Sequence, residues 1–134
     1  MKLPEIQLEG HRIRVGCDVV AIEDIANSLS SFGDRFLARI YTDDEVATCD
    51  GPNRLARLAA RFAAKEAAMK AFAQPDSAFA PPEIEVVTSD YVPKLRLSGS
   101  AAQLAAAQRW LEVSLSITHA ECHAAAVVVA VCAE

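Results

Sequence analysis

The stretch Arg54–Phe72 limits the fold more than any other part of the chain. Its nineteen residues include no glycine or proline and eight alanines. Asp50-Gly51-Pro52-Asn53 breaks the chain before it, and residues 74–82, with three prolines, close it. The sequence therefore predicts one long helix with small faces that let neighbouring elements approach closely.

At 3.6 residues per turn, one stripe of this helix visits Leu55, Leu58, Ala59, Phe62, Glu66, Met69 and Ala73. Every member is apolar except Glu66. A carboxylate on a buried stripe is costly unless its charge is compensated. Glu66 thus belongs to a buried ion pair, to a stripe turned toward solvent, or to a metal site. The last needs a second hard oxygen donor, because magnesium is held by one or two carboxylates together with waters and phosphate. Beside the stripe, Arg54, Arg57, Arg61 and Lys65 recur every three or four residues, and Lys70 follows Glu66 by four. Such a run makes either a solvated face or a cradle for an anion such as a pyrophosphate.

The rest of the chain alternates between the two periodicities. Residues 12–20 begin with strict alternation and end β-branched, which predicts a strand. Residues 22–29 have helical spacing, Gly33-Asp34 interrupts it, and residues 35–40 add a turn or two. Thr42-Asp43-Asp44-Glu45 is a capping box that opens a short helix to about Cys49. Residues 84–87 and 92–97 read as a hairpin joined by 88–91. Ser98-Gly99-Ser100 caps an alanine-rich helix to about Trp110, and residues 113–118 and 124–131 are two more strands around a tight connection. Residues 1–11 read as an extended arm. Antiparallel hairpins with segregated helices make an α+β fold, with a single domain spanning 1–134.

Composition narrows the function classes. Apolar residues make up 52% and charged residues 23%, enough core to exclude disorder. A net charge of −5 argues against nucleic acid. No apolar run approaches the ~20 residues of a membrane span, and Met1-Lys2-Leu3-Pro4-Glu5 lacks a secretory pattern; a cytoplasmic protein is expected. Cys17, Cys49, Cys122 and Cys132 are scattered without a C-x-x-C pair, as expected of reduced thiols.

Four motifs carry a resemblance. Arg61-Phe62-Ala63-Ala64-Lys65-Glu66-Ala67-Ala68-Met69-Lys70-Ala71-Phe72 resembles the central helix of the holo-acyl-carrier-protein synthases, in the 4′-phosphopantetheinyl transferase superfamily. Val15-Gly16-Cys17-Asp18-Val19-Val20 is similar to the family's Gly-x-Asp strand end. Phe36 to Glu45 resembles its Arg-Ile/Val-Leu-Thr-x-x-Glu segment, and Ser114-Leu115-Ser116-Ile117-Thr118-His119 its Ser-Ile-Ser/Thr-His strand. The four stand in the family's order between about residues 13 and 131.

The resemblance implies an enzyme that moves the 4′-phosphopantetheine arm of coenzyme A to a serine of an apo acyl carrier protein. Adenosine 3′,5′-bisphosphate leaves, and the place in metabolism is lipid and fatty acid biosynthesis. It implies that Asp18 and Glu66 bind Mg2+ and that Asp18, Glu66 and Lys70 are catalytic. Lys70, Arg61, Lys65 and His119 would contact coenzyme A. It also implies a homotrimer with each active site at a subunit junction. A non-catalytic coenzyme A-binding relative and a metal-dependent hydrolase of coenzyme A stand as the alternatives.

Two segments depart from the family. Its Gly-Thr-Gly loop after the central helix is Ala73-Gln74-Pro75-Asp76-Ser77 here, and its Gly-Lys-Pro turn is Tyr91-Val92-Pro93. On the first helix, Asp24 stands where the family carries an arginine toward its acidic carrier.

Overall fold

The structure, a computed structural model, describes residues 9–75 and 78–134. Most of the expected N-terminal arm and positions 76–77 of the expected proline-rich loop lie outside the described residues. Strand β1 (His11–Ala21) leads into helices α1 (Ile22–Phe32), α2 (Asp34–Ile40), α3 (Asp43–Cys49) and α4 (Arg54–Phe72). A 3₁₀ turn (Pro81–Glu83) precedes strands β2 (Ile84–Ser89) and β3 (Val92–Leu97), helix α5 (Gly99–Ala107), and strands β4 (Trp110–His119) and β5 (His123–Ala133). The α+β expectation holds: β1, β5 and β4 form one antiparallel sheet in that order, and β2 and β3 form a second.

β5 takes the centre because its sequence, HAAAVVVAVCA, tolerates apolar neighbours on both faces. Its even-numbered residues from Ala124 to Cys132 are buried against α4, and the even-numbered residues of β1 share that inner face. Asp18 lies opposite Ala126, which in turn lies opposite Ile117. The odd-numbered residues face outward, where Val15 is 58% and Val19 67% exposed.

Alanine and one glycine set how closely the helix and sheet meet. A Cβ on Gly16 would stand 1.8 Å from the carbonyl oxygen of Ala67. Here β1 crosses α4 backbone to backbone, and only glycine permits that approach. Asp18 follows two residues later on the same face, so this crossing is what brings it to the helix.

The long helix is buried more widely than the single apolar stripe predicted. From Leu58 to Phe72 only Phe62, Glu66 and Lys70 escape burial, a narrow strip at i, i+4, i+8. Leu55 and Ala73, assigned to the buried stripe, are exposed. The run of cations is corrected more sharply: after a partly buried Arg54 and an exposed Arg57, it dives into the protein. Arg61 is 7% exposed and Lys65 only 2%.

Three boundaries also move. β2 runs to Ser89, leaving Asp90-Tyr91 as a two-residue turn with both φ angles positive, 51° and 66°. α5 stops at Ala107, and Trp110 opens β4 instead of closing the helix; its ring stacks on Phe72 with centroids 4.1 Å apart. Ser98 makes no side-chain cap. Glu83 takes that role from outside the helix, accepting the Ala101 amide at 3.0 Å and the Ser100 hydroxyl at 2.6 Å.

Candidate active site

Strand β1 and helix α4 each supply one carboxylate to a cavity of about 360 Å3. Asp18 comes from the inner face of β1, and Glu66 from the open strip of α4. Phe62 forms the wall one turn before Glu66, and α1 closes the other side with Asp24, Ile25 and Ser28. Lys70, one turn beyond Glu66, donates to Asp18 Oδ1 and to the Cys17 carbonyl oxygen, both at 3.0 Å. The hydrogen bond with Asp18 and the charges of Asp18 and Glu66 raise the Lys70 pKa above its ordinary value. The exposed ammonium therefore stays charged at neutral pH, anchored at one end and open to an anion.

The donor set suits magnesium. Two carboxylates on an open cavity leave room for the waters and phosphate oxygens that complete an octahedral shell. Among the described residues no group of three or more His, Cys, Asp or Glu is arranged to hold a metal, so a thiolate- or imidazole-preferring ion finds no cage there.

Lys65 does something other than contact a phosphate. Its Nζ donates to Glu45 Oε1 at 2.7 Å, the Ile84 carbonyl at 2.7 Å and the Pro81 carbonyl at 3.3 Å. All three ammonium donors are thereby spent inside the protein. Burial lowers the Lys65 pKa, and the Glu45 carboxylate opposes that shift. Glu45 completes the pair by accepting the Thr42 and Val86 amides. The predicted capping box is present, and its glutamate doubles as the partner of a buried lysine. Nothing local in the sequence signals this, because the two residues stand twenty positions apart.

Arg61 also turns inward, donating to the Arg57 carbonyl at 3.2 Å; its buried Nε has no partner among the described residues. His119 is exposed at the end of β4 and lines a different cavity, of about 670 Å3, with Arg54, Leu55 and Glu121. Within one chain, Asp18, Glu66 and Lys70 come together and Arg61, Lys65 and His119 stand apart from them. Motif matching did not place Phe62, Ile25 or Ser28 at the site. For α1, the spacing Asp24, Ile25, Ser28 marks a single helix face and was the available signal.

Known proteins match this arrangement across most of its length. The family profile of the 4′-phosphopantetheinyl transferase superfamily matches residues 14–132. The holo-[acyl-carrier-protein] synthase of Koribacter versatilis is 41% identical over 123 residues, covering 85% of this chain and 94% of that protein. That of Nitratidesulfovibrio vulgaris is 40% identical over 119 residues, covering 87% and 96%. Among solved structures, the Chronobacterium ammoniagenes ACPS–CoA complex superposes with a TM-score of 0.80 at 30% identity, covering 92% of this chain and 98% of that one. The Helicobacter pylori holo-[acyl-carrier-protein] synthase in complex with coenzyme A gives 0.76 at 28% identity, with 87% and 98% covered. Motif order, fold and relatives agree, and the chain belongs to the 4′-phosphopantetheinyl transferase superfamily.

Proposed function

We propose that this protein transfers the 4′-phosphopantetheine arm of coenzyme A to a serine of an apo acyl carrier protein. The observation that carries the proposal is the meeting of Asp18 and Glu66 on one cavity with Lys70 bonded to Asp18, in a chain matched by holo-[acyl-carrier-protein] synthases over 85% of its length. In the reaction the serine oxygen bonds to the β-phosphorus of coenzyme A. The pyrophosphate bridge breaks, and adenosine 3′,5′-bisphosphate leaves with the extra negative charge.

Asp18 and Glu66 would hold a magnesium ion, which when bound supplies positive charge to the pyrophosphate oxygens. Lys70 adds a charge-assisted hydrogen bond to the same phosphates. Glu66, on the cavity wall facing α1, is positioned to take the serine proton directly or through one water. Lys65 fixes α4 against α3 and β2.

We assign the assembly as a homotrimer acting in the cytoplasm, within lipid and fatty acid biosynthesis. The support for the trimer is the outer face of the three-stranded sheet, where Ile13, Val15, Val19 and Val127 are apolar and uncovered in a single chain. Burying such a face against other copies removes an exposed apolar patch. A subunit junction would also carry the His119 cavity of one copy to the acidic cavity of the next, giving His119 its contact with the nucleotide.

The test is mass spectrometry of a panel of apo carriers incubated with protein, magnesium and coenzyme A. Transfer appears as the phosphopantetheine mass increment on the carrier serine. Asp18→Ala and Glu66→Ala should each reduce it by at least a hundredfold while circular dichroism stays unchanged. Coenzyme A cleaved without any carrier would identify a hydrolase, and intact coenzyme A with no transfer would identify a binding protein.

A further inference from the structure

The acceptor serine sits on a folded protein, and that protein must lay its surface against the rim of the acidic cavity. Part of the rim is α1, whose cavity face is Asp24, Ile25 and Ser28. Ile25 is buried beneath it, which leaves Asp24 exposed at the lip. Among the described residues Asp24 makes no ion pair or hydrogen bond. Glu23 is exposed beside it, and α1 contains no lysine, arginine or histidine. No described lysine or arginine lines the cavity, and the nearby Lys70 is already bonded to Asp18. The bases Arg35 and Arg39 are exposed on the next helix, α2, and do not line the cavity.

Acids in a first turn also favour a helix through its dipole, and α1 has no side-chain cap at Ala21. That explains Glu23 and Asp24 equally well, but only Asp24 lines the cavity. An unpaired carboxylate at the point of macromolecular contact attracts a cation and repels an acid, acting on both the rate of encounter and the choice of partner.

We propose that Asp24 determines acceptor specificity, selecting a carrier protein that presents a lysine or arginine, instead of an acid, beside the serine to be modified. The proposal rests on the transfer reading above. It assigns Asp24 to the protein acceptor and not to coenzyme A, so its effect belongs in the KM for the carrier.

One carrier in two versions tests it. The first keeps acidic residues on the helix that follows the acceptor serine, and the second has them replaced by lysine. The wild-type enzyme should show a kcat/KM about tenfold higher for the lysine version, with the advantage shrinking as salt rises from roughly 0.05 to 0.5 M. Asp24→Asn should bring the two carriers level, and Asp24→Arg should reverse the order. A wild-type preference for the acidic version overturns the proposal, as does an Asp24→Asn enzyme that keeps the original preference; both leave the transfer reading standing. Failure of the wild type to modify either version overturns the transfer reading and this proposal together.

Discussion

A side chain at position 16 has nowhere to go. Its first carbon would overlap the Ala67 carbonyl, so Gly16→Ala must push β1 away from α4. We expect a loss of about 3 kcal/mol or more, read as a lower urea midpoint. Transfer should fall further than stability explains, because Asp18 rides on the same strand two residues on. Lys65→Met should cost about 3–5 kcal/mol by leaving Glu45 buried without its cation, and the double variant Glu45→Met/Lys65→Met should recover much of that loss. Equal urea midpoints for the single and double variants would contradict this account of the pair. Glu66 was visible in the sequence as an acid out of place, although for a reason the structure revises. It occupies the open strip of a helix buried almost all round, and the charges truly out of place are Lys65 and Arg61. Periodicity misses them because the predicted stripe was narrower than the face α4 buries, and their surroundings come from α3 and β2, distant in sequence.

Helix ends hold the next set of consequences. α4 terminates at Ala73 with φ 58° and ψ 41°, a left-handed conformation that disfavours any residue with a Cβ. Ala73→Gly should therefore stabilise the protein by about 1 kcal/mol, measured by denaturant titration. At α5, hydrogen bonds from Ser100 and the Ala101 amide hold the Glu83 pKa below its ordinary value. A depressed carboxylate pKa adds stability above the unfolded value of about 4.3, and that stability is lost as pH falls through the folded one. Glu83→Gln should lower stability above pH ~5 by at most about 1 kcal/mol at this largely solvated site. The acid-side slope of stability should flatten in the variant; an unchanged slope would remove Glu83 from the cap. The element order was legible because breakers and periodicity changes coincide, as at residues 50–53 and 74–82. The α5 cap was not, since its acceptor lies fifteen positions upstream of Ser98 on another element.

For the whole molecule, the sheet's outer face decides what one chain can do alone. Ile13→Lys and Val15→Lys place charge on a face that is about half exposed in a single chain, 49% and 58%. Each should leave secondary structure intact, turn the proposed trimer into monomers by analytical ultracentrifugation, and reduce transfer at least tenfold. A monomer with full activity would detach catalysis from assembly. Alternation in β1 marked Ile13, Val15 and Val19 as one apolar face but could not show that this face is the uncovered one, while Arg14, Gly16, Asp18 and Val20 turn toward α4. Nor could local pattern reveal that residues 11–21 align with residues 123–133 along their entire length. That alignment bears on timing during synthesis. The strand holding Asp18 has no sheet neighbour until β5 has emerged from the ribosome, whereas Glu66 and its helix are made much earlier. β1 meets α4 directly at Gly16, but the hydrogen-bonded edge that holds the Asp18 strand in place is completed only when β5 arrives, so the site is secured last.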